Sequence, residues 1–100
     1  MRPKTITVTS GNSPYYIPTN WRGGDIGVTA TPSGAGNYDV AYTHEPLPNG
    51  DASQVTDWTD ITDMSAATAA QSKVVGPTPC LRVTLNSGTS VKVDVTQTDV

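Results

Sequence analysis

One hundred residues with a formal charge of −3 make a chain of single-domain size, 1–100, in which nearly every large side chain must join one core. Phe is absent, and two Trp and four Tyr are the large anchors among abundant Thr, Val, Ser and Gly, a mixture suited to pleated strands and tight turns. The Lys and Arg residues stand singly, which excludes the clustered positive charge that nucleic-acid binding requires, and the lone Cys80 excludes an intramolecular disulfide or a redox dithiol.

Met1-Arg2-Pro3-Lys4 carries positive charge but leads into alternation instead of a continuous apolar run, so no secretory signal is expected. No stretch approaches the ~18–20 apolar residues that cross a bilayer, and the expectation is a chain folded in a cytoplasm without a membrane partner. Thr5 to Thr9 alternate strictly, with Ile6 and Val8 on one face and Thr on the other, which predicts a half-buried strand. Tyr15, Tyr16 and Ile17 form a second extended piece stopped by Pro18. Its two adjacent tyrosines must point to opposite faces, so one of them looks outward.

Ile26, Val28 and Ala30 alternate next, followed after Pro32–Asn37 by Tyr38, Val40 and Tyr42 on the same period. The Gly-rich connection between these runs reads as a hairpin. Pro46 and Pro48 cannot donate to a central ladder and end that strand, and Asn49-Gly50-Asp51 supplies turn chemistry. Trp58, Ile61 and Met64 recur every three residues before an Ala-rich stretch from Ser65 to Gln71. A short helical turn near residues 63–71 and an ordered loop fit that region equally well. Lys73 to Val75 is a further strand, and Leu81, Val83 and Leu85 followed by Val91, Val93 and Val95 predict two more, joined by a hairpin loop at Asn86–Ser90. Six or seven short antiparallel strands punctuated by Gly and Pro predict an all-β domain, a small β-sandwich or a partly open barrel.

Catalytic chemistry finds no constellation. The single histidine, His44, sits where a strand meets a Pro-containing loop, and no nucleophile elbow accompanies it. Glu45, Asp51, Asp57, Asp60 and Asp63 contain the residue types of a glycosidase pair or a calcium site, yet their spacing matches a solvated acidic loop and lacks the ligand pattern of a calcium-binding loop. One Cys and one His cannot close a zinc site. The glycine pairs precede strands, not the helix a phosphate cradle requires. The expectation is a non-enzymatic protein with no metal and no cofactor. Cys80 is predicted to be a buried, inert thiol. Trp21 and Trp58 are predicted in the core, since a sugar-stacking platform would leave too few large residues inside. Candidate contact residues are Tyr15 and Tyr16, one of which faces out, and Pro46 and Pro48 in the loops.

The stretch Pro79-Cys80-Leu81-Arg82-Val83-Thr84, then Ser87-Gly88-Thr89, then Val91-Lys92-Val93-Asp94-Val95-Thr96-Gln97 resembles the end of small virion proteins encoded among the structural genes of tailed bacteriophages. Asn37-Tyr38-Asp39-Val40-Ala41-Tyr42-Thr43 is similar to the strand those proteins place before a Pro- and Asp-containing loop. Cys80 departs from the small residue expected there, and Ser65 to Gln71 has no counterpart. The resemblance implies a small β-sandwich that serves as a virion structural protein: a capsid decoration, or cement, protein binding the major capsid protein and copies of itself. A head–tail or tail component is the alternative within the virion, and a carbohydrate-binding β-sandwich module is the alternative from another class. The location implied is the virion, assembled in the host cytoplasm.

Overall fold

A strand that alternates apolar and hydroxyl side chains buries one face only, so it is stable when a second layer covers that face. A computed structural model describes residues 3–20, 22–45, 47 and 51–97 and provides that layer. Eight strands are β1 (Lys4–Val8), β2 (Tyr15–Pro18), β3 (Ile26–Ser33), β4 (Asn37–Thr43), β5 (Thr59–Asp60), β6 (Gln71–Val75), β7 (Cys80–Ser87) and β8 (Ser90–Gln97). They form two four-stranded sheets, sheet A in the order β1-β8-β3-β6 and sheet B in the order β2-β7-β4-β5. Every lateral pair is antiparallel. The domain is an all-β sandwich. Seven of the strands coincide with the predicted runs, and β5 is the addition: two residues with no alternation to announce them.

Each connection except β4 to β5 passes from one sheet to the other, and the pairs β1 and β2, β3 and β4, β5 and β6, and β7 and β8 occupy matching positions in the two sheets. This eight-stranded order is that of a jelly roll. It corrects the two predicted hairpins. β3 pairs with β8 and β6, β4 pairs with β7 and β5, and β7 and β8 lie in different sheets. Alternation shows which side of a strand is apolar, and a crossing connection satisfies it by turning two apolar sides toward each other. The two central crossings, after β3 and after β7, run side by side. Gly36 and Gly88 adopt φ of 137° and 100° there, and a Cβ on either would strike the other turn's backbone, Gly36 at Ser87 and Gly88 at Ala35.

The core between the sheets holds Val8, Ile17, Ile26, Val28, Tyr38, Val40, Leu81, Val83, Val91, Val93 and Val95, joined by Ile61 and Met64 from the segment after β5. That segment is an ordered loop and not the helical turn near residues 63–71. It runs along the open side of β4: Ile61 N–H donates to the Val40 carbonyl at 2.8 Å, Val40 N–H to the Met64 carbonyl at 2.9 Å, and Tyr38 and Ala67 exchange both backbone bonds. Asp63 and Ala66 take φ of 66° and 50°, which a right-handed helix does not allow. The only helical turn among the described residues is the 3-10 turn Ala52–Gln54. β1 pairs with β8 of the same chain over its whole length.

Candidate interaction surface

The outer sides of the two sheets differ. On sheet A, the register aligns Thr5, Asp94, Thr29 and Ser72 in one row and Thr7, Lys92 and Thr31 in the next. Thr5 donates to the Asp94 carboxylate at 2.6 Å, and Thr29 and Ser72 share a hydrogen bond of 2.9 Å. This face is short, polar and open. Its apolar exception is Val74 on edge strand β6, 72 % exposed and paired with Gly27. Lys73 stands beside it on the core side of β6, and its ammonium meets the Asp63 carboxylate at 2.8 Å, an inward-pointing charge of the kind that blunts an open edge.

On sheet B, the outward row is Tyr16, Arg82 and Ala41, and the next is Pro18, Cys80 and Thr43. Ala41, Thr43 and Cys80 face away from the core and are nonetheless buried, because the connection between β4 and β5 folds over them. The acidic residues of that connection hold it together. Glu45 accepts from the backbone N–H groups of Thr56 and Asp57 at 3.3 and 3.1 Å. Asp51 caps the 3-10 turn, accepting from the Ser53 N–H at 3.0 Å and the Ser53 hydroxyl at 2.6 Å, and these bonds hold its carboxyl below the ordinary range. The buried Thr43 hydroxyl donates to the Asp57 carbonyl at 2.9 Å and accepts from the Glu45 N–H at 3.0 Å.

Trp58 closes the arrangement. Its indole N–H donates to the Val55 carbonyl at 3.1 Å, the Arg82 guanidinium lies 4.8 Å from the ring centroid, and the Tyr16 ring stands 5.9 Å away, tilted by 39°. Trp58 is half-buried and lies outside the core cluster, which corrects the prediction that placed it inside. A strand of alternating residues has two sides, and the covering connection makes a second apolar environment on the outer one. Trp21, Pro46 and Pro48 lie outside the described residues. Tyr15 packs against the core, while Tyr16 faces out and joins Trp58, so the two tyrosines divide as predicted.

Beside Tyr16 an open cleft of about 340 Å³ is bounded by Tyr16, Pro18 and Cys80 of the sheet and by Leu47 and Asp51 to Ser53 of the connection. Cys80 lies at its floor with its thiol turned to the Leu81 carbonyl at 3.3 Å, and burial pushes the thiol up to about 11, so it stays protonated and inert at neutral pH. Arg82 is the residue that the sequence reading missed, since in a strand it reads as one more outward polar position. Its Nε is shut off from solvent with no hydrogen-bond partner, the only such side-chain atom among the described residues. A buried donor left in that state costs on the order of 1–3 kcal/mol. The cation–π contact with Trp58 recovers about 1 kcal/mol or more of it.

His44 is exposed and contacts Tyr42 edge-on, with ring centroids 5.3 Å apart. Among the described residues no group of three or more His, Cys, Asp or Glu side chains is placed to hold a metal ion, and no helix is long and apolar enough to cross a membrane. No protein-family model, curated protein or solved structure matches this chain.

Proposed function

We propose that this chain is a non-enzymatic structural protein of a bacteriophage particle, a decoration protein that sits on the capsid exterior and binds the major capsid protein. The observation that carries the reading is the Tyr16, Trp58 and Arg82 cluster on the outer side of sheet B. Tyr, Trp and Arg are the residue types that dominate protein interfaces, and here a rigid sheet and a bonded connection fix them in place. The jelly-roll order adds an association, since viral capsid domains use it, as lectins do. A contact of this size is weak singly and becomes effective when many copies repeat across a lattice. Placement in the head–tail or tail region would use the same surface against a different virion protein.

Sugar binding is the second reading, favoured by the position of Trp58 outside the core. Against it stands Arg82, which takes one face of the indole that a sugar ring would stack on.

Immunogold labelling of purified particles, with an antibody raised against this protein, tests the proposal. Gold over the whole head is the expected result. Label confined to the neck or tail moves the protein to a connector or tail role, and its absence from the particles by both labelling and mass spectrometry overturns the virion reading.

A further inference from the structure

The donors of Arg82 and the aromatic rings beside it define the chemistry of what this surface takes. Among the described residues the Arg82 side chain makes no ion pair and no hydrogen bond, and it packs on the Trp58 ring. Stacking uses the flat face of a guanidinium and leaves its N–H edge for a planar acceptor. Of the carboxylates on the same side, Glu45 and Asp51 bond the amides of their own connection, Asp39 accepts from the Ala66 N–H and from the Asn86 amide, and Asp60, across Ala41 in the same outward row, makes no ion pair with Arg82. The cation is thus held in place by neighbours that do not neutralise it.

We propose that the outer side of sheet B captures an acidic peptide segment of a partner protein, one carboxylate of that segment closing on the Arg82 guanidinium while an adjoining apolar side chain enters the cleft between Pro18 and Leu47. The carboxylate supplies two in-line acceptors for the fork of Arg82. The cleft, about 340 Å³ and bounded by Pro18, Leu47, Ala52 and Cys80, matches an aliphatic or aromatic side chain beside it. A nucleic-acid backbone does not suit the site, because one guanidinium on a chain of charge −3 has no basic neighbours with which to follow successive phosphates. The identity of the partner as a capsid protein rests on the reading given under Proposed function, whereas the preference for an acidic segment is a property of the isolated protein and is tested there.

The test is selection from a displayed random-peptide library on the immobilised full chain, followed by titration of a selected peptide and its Glu→Gln or Asp→Asn twin against the isotope-labelled protein by NMR. The expected result is enrichment of peptides that carry an acidic residue next to an apolar one, saturable movement of the Arg82 Nε–H and Trp58 indole N–H resonances, and affinity about ten-fold weaker or worse for the amide twin. Arg82→Gln is expected to abolish the movement. If that variant fails to fold, the comparison of twin peptides on the unaltered protein decides alone. Enrichment of peptides without acidic residues, equal affinity for the twins, no enrichment at all, or saturable binding of an acidic oligosaccharide in place of the peptides would each overturn the proposal. Failure here with gold still over the phage head would leave the decoration role standing and remove only this surface from it.

Discussion

The two outer faces of the sandwich start from the same pattern and end differently. Both are the non-core sides of alternating strands, yet sheet A presents a Thr-rich surface to water, while sheet B buries Ala41, Thr43 and Cys80 beneath the connection from β4 to β5. The difference comes from what the intervening chain carries. The connection brings Val55 and Trp58 as apolar contacts and Glu45 and Asp51 as acceptors for the Ser53, Thr56 and Asp57 amides, so these backbone groups stay paired while it lies on the sheet. Among the described residues nothing comparable covers sheet A. A sheet's outer side becomes a place for recognition when a loop can bond itself internally and set large side chains on it.

The comparison breaks most severely where the sheets are joined. Gly88→Ala is expected to destabilise the fold by at least ~2 kcal/mol, because it places a Cβ against the Ala35 backbone at a φ that alanine resists, and denaturant unfolding measures it. Trp58→Ala is expected to cost about 2–3 kcal/mol and to open residues 51–57 to proteolysis while the sheets persist. Thr43→Val removes a buried hydroxyl that serves two backbone groups, for an expected loss of about 1–2 kcal/mol. On the opposite face Lys92→Ala is expected to change stability by less than ~0.5 kcal/mol, and a loss as large as that of Thr43→Val would mean that sheet A is not the bare surface described.

The smallest effect is on pH dependence. The folded pKa of Asp51 is lowered by its bonds to Ser53, so its contribution is present above the ordinary carboxyl pKa and is lost as pH falls through the lower folded value. Carbon-detected titration is expected to place Asp51 below the ordinary carboxylate range, and Ser53→Ala is expected to raise it. An unchanged Asp51 in that variant would remove Ser53 as the cause.

The core side of the fold was legible in the sequence because alternation is local: Val28 beside Thr29, or Val93 beside Asp94, declares its face without knowledge of a partner. Lateral pairing was not legible. Gly34-Ala35-Gly36 and Ser87-Gly88-Thr89 permit a tight reversal, and the same turns permit a step to the facing sheet; the choice is made by β8 lying between β1 and β3, a long-range contact that no window of sequence contains. Tyr16 was legible as an outward ring because its neighbour Tyr15 had to take the inner side. Arg82 and Trp58 were not, since their meeting depends on the connection folding back over sheet B. The only local trace of it is Arg82 itself, a cation on a strand whose other side carries Leu81, Val83 and Leu85.

Hydroxyl-radical footprinting of the free protein and of particles that carry it tests the central claim most directly. Tyr16 and Trp58 are expected to be labelled in the free protein and protected on the particle, while Val74 on the edge of sheet A keeps its labelling in both. Protection of Val74 with Tyr16 and Trp58 unchanged would contradict that claim and transfer the contact to the opposite sheet.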